Sequence, residues 1–312
     1  MPSPAMQERI AAVRAARAAA EGQPPPDLAK TRADPGARGD LYPMPDDVTV
    51  TETDAAGVAA RWVTPPGTSA AQVLLYLHGG GYQGGSFASH AELAARLGRA
   101  SGCRVLFPEY RLAPQHPFPA AVNDVLAVWH WLRTAQAYPA GALAVAGDSA
   151  GGGLAVAMMT ALRERGEDLP AAAVLMSPWT DLSCSGASMT ERGGEDPLFT
   201  PSLLRDLAAA YLAGADPRTP LASPLFAPLG GLPPLLIQVG TAELLLSDSV
   251  ELAKAAAAAG VDVTLHTGEG LPHVYPGMAG TPEADEATSQ AGEFLRAKLR
   301  PRSDGVSTDL WR

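Results

Sequence analysis

The run Leu143-Ala144-Val145-Ala146-Gly147-Asp148-Ser149-Ala150-Gly151-Gly152 passes from apolar residues into a small-residue helix through a single serine. Four apolar residues ending at glycine read as a buried strand, and the pattern from Ala150 to about residue 165 reads as a helix. Gly147-Asp148-Ser149-Ala150-Gly151 fits G-x-S-x-G, in the strand–turn–helix context that pattern requires. So sharp a turn leaves room only for glycine two residues to either side. It lifts the serine hydroxyl above the sheet edge, at the positive end of the next helix. A glycine-cushioned turn with an ordinary N-cap serine accounts for the same letters, so this stretch alone leaves the serine's role open.

Outward from it the alternation repeats. Val73-Leu74-Leu75-Tyr76-Leu77 is almost wholly apolar, as expected of a strand covered on both faces. Arg104-Val105-Leu106-Phe107 and residues 171–176, 235–239 and 261–266 read as further strands. Helical patterns lie at 88–101, 118–136, 247–259 and 282–299, and two β-rich segments at 47–53 and 57–63 come first. Strands alternating with helices predict an α/β fold, a mostly parallel central sheet flanked by helices. The interval between the strands at 171–176 and 235–239 is about 60 residues, far more than a crossover needs. It holds a polar loop, Ser183 to Asp196, and a helical segment from about Ser202 to Leu212, and it reads as a lid over the sheet edge, with a decorative surface insertion as the alternative. Residues 5–20 form an Ala-rich helix that Pro24-Pro25-Pro26 breaks; a loose lead-in to about Pro45 and a polar tail after Pro301 complete the chain.

With 312 residues, 46% hydrophobic and 18% charged, the chain can build a sizeable core. A net charge of −10 argues against nucleic acid or anionic membrane as a partner. Two cysteines, Cys103 and Cys184, make neither a disulfide framework nor a metal site, and a cytoplasmic location is expected. The Arg- and Glu-interrupted N-terminus lacks the apolar core of a secretory signal, and no apolar stretch is long enough for a membrane span. No metal-ligand or phosphate-loop spacing appears; the expected partner is a small molecule, with a homodimer through an edge strand or the lid compatible with the fold.

His78-Gly79-Gly80-Gly81 follows the strand Val73–Leu77 directly. Acyl transfer builds negative charge on a carbonyl oxygen, and an aligned backbone N–H stabilises it by about 3–4 kcal/mol. Gly80 and Gly81, with Ala150 beyond the serine, are the expected donors. A serine needs a base within reach, and the order expected on this fold is serine, acid, histidine. Of six histidines only His266 and His273 come late enough. His266 falls inside the strand pattern, where a structural role suffices; His273 follows Gly268-Glu269-Gly270-Leu271-Pro272, a loop at the C-terminal sheet edge where ligands bind. The acid belongs after the strand at 235–239. Glu243 is assigned, with Asp248 in reserve because a helix cap explains it. Tyr82, Trp179, Leu198 and Phe199 are candidates to line the substrate pocket. Asp148 reads as a neighbour that orients backbone, and Glu109-Tyr110-Arg111 as a brace for the glycine loop.

Taken together, His78-Gly79-Gly80-Gly81-Tyr82, Glu109 to Ala121, Gly147-Asp148-Ser149-Ala150-Gly151-Gly152, Ser177-Pro178-Trp179, Ser223-Pro224 and Pro272-His273 resemble the bacterial hormone-sensitive-lipase-like esterases of the α/β-hydrolase fold. The resemblance covers about residues 47–300. It implies a helical cap made from residues 1–45 and 181–220 over a core at 46–180 and 221–300, with a tail at 301–312. It also implies cofactor-free hydrolysis of short-to-medium acyl esters by Ser149, Glu243 and His273. The family's acid usually sits in Asp-Pro-Leu; here Glu243-Leu244-Leu245 stands there, one methylene longer. Lactone hydrolases, deacetylases and non-catalytic receptors on the same scaffold remain alternatives.

Overall fold

The computed structural model describes residues 1–20, 28, 32 and 41–300, so most of the Pro-rich lead-in and the tail after Pro301 lie outside it. Eight strands form one sheet: β1 Thr49–Ala55, β2 Val58–Thr64, β3 Ser69–Leu77, β4 Cys103–Pro108, β5 Leu143–Asp148, β6 Ala173–Met176, β7 Leu235–Gly240 and β8 Val263–Gly268. Their order across the sheet is β1-β2-β4-β3-β5-β6-β7-β8. β1 pairs with β2, and β2 with β4, antiparallel; every later pairing is parallel. The principal helices are α1 Pro4–Ala20, α2 Phe87–Ser101, α3 Ala120–Thr134, α4 Ala150–Glu164, α5 Ser188–Glu191, α6 Pro201–Leu212, α7 Leu246–Ala258 and α8 Pro282–Lys298.

Alternate residues of β3 feed opposite cores, as the two-residue period of a strand demands. Val73, Leu75 and Leu77 join the cluster built with α3, α4 and α7, whereas Leu74 and Tyr76 join the one built with α2 and α8. Double coverage is why this strand reads as an unbroken apolar run. α1 seats its fully buried Met6, with Ile10 and Val13, against Leu271, Tyr275, Met278 and Ala287. Ser3 anchors the start of that helix by donating from its N–H and its Oγ to the Glu283 carboxylate.

Two element boundaries move from expectation for visible reasons. The helix expected over 118–136 begins at Ala120, because Pro119 restricts Phe118 to non-helical backbone. The last strand runs Val263–Gly268 rather than 261–266. Gly260 (φ 84°) turns left-handed after α7, and Val261 N–H returns to the Ala256 carbonyl at 3.0 Å, holding Val261 in the helix stop.

The segment between β6 and β7 carries α5 and α6. Thr200 caps α6 by accepting from Leu203 N–H, with Pro201 at its first position. α6 lies over the loop that follows β3: Gln83 Nε2 donates to the Leu207 carbonyl, and Phe118 N–H donates to that of Tyr211. No described helix is long and apolar enough to cross a membrane.

Candidate active site

Ser149 occupies φ 53°, ψ −123°, a backbone region that side chains other than glycine seldom adopt. Its surroundings enforce this. A Cβ on Gly147 would stand 2.4 Å from the Gly151 carbonyl oxygen, and one on Gly151 only 2.0 Å from that of Leu77. The turn is held from below: Ser149 N–H donates to the Met176 carbonyl at 2.8 Å, and Trp179 N–H donates to the Ser149 carbonyl at 2.9 Å. The serine thus sits in a tight, strained turn between β5 and α4, as its motif predicts.

The glycine loop after β3 lies against that turn. Gly80 (φ 115°) and Gly81 (φ 62°) are both left-handed. A Cβ on Gly80 would meet the Gly84 backbone at 2.4 Å, and one on Gly81 would meet the Leu207 side chain at 2.9 Å. Among the described residues, the N–H groups of Gly80, Gly81 and Ala150 donate no hydrogen bond. Asp148 couples loop to turn: Oδ1 accepts from Gly79 N–H at 3.0 Å and from Tyr76 Oη at 2.6 Å, and Oδ2 lies 3.4 Å from His90 Nε2. This is the backbone-orienting part expected of it. Of the expected brace, Tyr110 acts directly, its hydroxyl donating to the His78 carbonyl at 2.6 Å. Glu109 instead pairs with Arg61, and Arg111 with Asp124. His78 stacks between Phe107 and Tyr110; burial and neighbouring His90 pull its pKa down to about 4, so it is neutral at ordinary pH.

Glu243 and His273 meet. Glu243 Oε1 lies 3.0 Å from His273 Nδ1, and Oε2 accepts from Gly240 N–H at 3.0 Å and Ser177 Oγ at 2.8 Å. Gly240 makes the meeting possible, since a Cβ there would sit 2.0 Å from the Leu271 carbonyl oxygen of the incoming loop. Val274, next in the chain, is left-handed at φ 51° and donates its N–H to Ser177 Oγ at 3.0 Å. With Nδ1 donating to the carboxylate, Nε2 carries the free lone pair; it is buried and has no hydrogen-bond partner among the described residues. Burial draws the imidazole pKa down, but the Glu243 charge and hydrogen bond, with the Asp196 and Asp148 charges, outweigh it and hold the pKa above 6.5.

Asp248 is elsewhere. Its Oδ2 accepts from Thr180 and Asp181 N–H at 2.7 and 2.8 Å, so it secures the start of the insertion rather than capping its own helix. Burial pushes its carboxyl up to about 8. His266 lies in β8, with Nδ1 2.7 Å from Gln290 Oε1, as a structural histidine should. Tyr82 and Trp179, expected at the substrate, are 2% and 0% exposed; Tyr82 stacks on Tyr211 at 3.8 Å, and both rings belong to the core. The other two candidates, Leu198 and Phe199, lie beside His273. Phe199 meets the His273 ring edge-on at 5.0 Å. A cavity of about 280 Å³ opens beside His273 between Val13, Ala16, Leu41, Leu198 and Met278. Ser177 is the site residue that received no role from the sequence, although its Ser-Pro-Trp setting after a strand marks the right place. Cys103 and Cys184 are free and buried.

Residues 74–277 match the family model described as the alpha/beta hydrolase fold. Among curated relatives, an acetyl-hydrolase of Streptomyces hygroscopicus is 47% identical over 261 residues, covering 83% of this chain and 85% of that one. An ethyl acetate hydrolase of Pseudomonas putida is 35% identical over 263 residues, covering 81% and 82%. Among solved structures, an esterase from the bacterial hormone-sensitive lipase family superposes with a TM-score of 0.91 at 43% identity, covering 96% of this chain and 100% of that one.

Proposed function

Because the chain belongs to the α/β-hydrolase family, in its bacterial hormone-sensitive-lipase branch, and is an esterase, we propose that it hydrolyses short-to-medium acyl esters through an acyl-enzyme on Ser149. The observation that carries this reading is the joined Glu243–His273 pair, with a basic nitrogen left free among the described residues, on loops tied through Ser177 to the Met176–Trp179 segment that holds the serine's turn.

In the first step Ser149 Oγ attacks the ester carbonyl carbon while His273 Nε2 takes the hydroxyl proton. Glu243 keeps the proton on Nδ1 and stabilises the imidazolium, without accepting that proton itself. Charge gathering on the carbonyl oxygen falls to the uncommitted N–H groups of Gly80, Gly81 and Ala150. Collapse expels the alcohol, which leaves with the proton from Nε2. Water then gives a proton to the same nitrogen as it attacks the acyl carbon, and collapse breaks the bond to Ser149 Oγ, which takes that proton back from Nε2 as the acid is released.

The names of the two curated relatives point to the acetyl group as one acyl part in range. The apolar cavity beside His273, walled by α1 and Leu198, offers room for longer chains. In this reading the described part of residues 1–45 and the insertion at 181–220 act together as the cap. The deciding experiment compares p-nitrophenyl acetate and butyrate turnover by the wild type and Ser149→Ala. The variant should fall to background; equal rates end the proposal.

A further inference from the structure

Asp196 stands in the polar loop before α6, is 2% exposed, and has no part in the steps above. Its two carboxylate oxygens face different parts of the molecule. Oδ1 accepts from the N–H groups of Leu198 and Phe199 at 2.8 and 2.9 Å, folding the insertion so that Phe199 lies edge-on to the His273 ring. Oδ2 accepts at 2.9 Å from the N–H of Leu244, the residue after Glu243. The Asp196 carbonyl in turn accepts from Arg17 Nη1 of α1 at 2.6 Å. One residue therefore joins the N-terminal helix, the insertion and the loop carrying the acid, beside the imidazole.

We propose that Asp196 is a positioning residue for hydrolysis: it registers the 181–220 insertion on the acid loop and sets Phe199 against the His273 ring. The inference rests on the triad reading given above. Three carboxylates act on His273, namely Glu243, Asp196 and Asp148. Only Asp196 comes from the insertion, so docking of that segment and the basicity of His273 are linked through it.

The test is the pH dependence of kcat/KM for p-nitrophenyl acetate in the wild type, Asp196→Asn and Asp196→Glu. Asparagine keeps the shape but removes the charge and one acceptor. Its plateau should fall roughly ten- to hundredfold, the scale of a displaced catalytic group, and its acid limb should move to lower pH. Glutamate keeps the charge and should keep the wild-type limb whatever its plateau. An unmoved limb in folded Asp196→Asn overturns the inference, since a merely structural residue lowers the rate without moving the limb. Should Asp196→Asn not fold, a limb displaced to lower pH in folded Asp196→Glu overturns it as well. Fluorophosphonate labelling of wild-type Ser149 in parallel reports on the triad reading separately.

Discussion

Replacing Gly151 by alanine adds one carbon where the turn and the glycine loop touch. The new Cβ would lie 2.0 Å from the Leu77 carbonyl oxygen and 2.5 Å from that of His78, both backbone atoms leading into Gly79–Gly81. Real Cβ contacts stop near 3.0 Å, so helix and loop must part by about 1 Å. That separates Ala150 N–H from the N–H groups of Gly80 and Gly81 by the same amount. Misplacement on that scale lowers a rate about a hundredfold, and full loss of one donor lowers kcat by about 10²–10³. Stability suffers less. Overpacking costs about 1–3 kcal/mol, and alanine's better helix propensity returns up to about 1 kcal/mol. Gly151→Ala should therefore fold, melt within several degrees of the wild type, and lose about two orders of magnitude in kcat on p-nitrophenyl acetate. Steady-state kinetics beside a thermal melt measure both. A kcat within threefold of the wild type would refute the reasoning, because the two segments would then have absorbed the carbon without losing register.

The raised His273 pKa predicts that kcat/KM fails below a midpoint above pH 6.5, as the base becomes protonated. Glu243→Gln should move that midpoint down and depress the plateau; a pH–rate profile of both proteins shows it, and an unmoved midpoint counts against the pairing. For Asp248, a carboxyl held protonated up to about 8 in the fold but ionising near 3.8 when unfolded makes stability fall as pH rises across that window. Asp248→Asn should flatten the decline, measured as denaturation midpoints from pH 4 to 8, and parallel slopes would exclude this carboxyl as its source.

What fixes each feature of this protein divides by distance along the chain. The order of strands and helices was legible because covered strands must be apolar throughout and helices must carry a 3.6-residue stripe, both local demands. The boundary errors at Ala120 and Val263 came from a proline's restriction on its predecessor and a left-handed helix stop, which periodicity does not record. The glycine motifs were legible for a related reason: a turn that admits no Cβ leaves glycine as its only solution, and Gly147, Gly151 and Gly80 each face backbone at 2.4 Å or less.

Tyr82 and Trp179 show where such reading stops. An aromatic beside a glycine motif looks the same whether it faces a substrate or the core, and only packing against Tyr211 and its neighbours decides. Glu243 and Asp248 are two carboxylates five residues apart, and only the fold sets one of them, Glu243, against the histidine 30 residues later. Ser177, although inside the Ser-Pro-Trp motif, and Asp196, in no motif, received no role from the sequence. Their importance lies in bridging Glu243 to Val274, and Leu198 to Leu244, contacts spanning 31 and 46 residues. The sequence by itself determined the α/β order, the strained turn at Ser149 and the glycine loop, since each is written in short-range sterics. Which carboxylate meets His273, and what walls the site, only the folded chain decided, because hydrogen bonds between distant segments exist only once the sheet has brought them together.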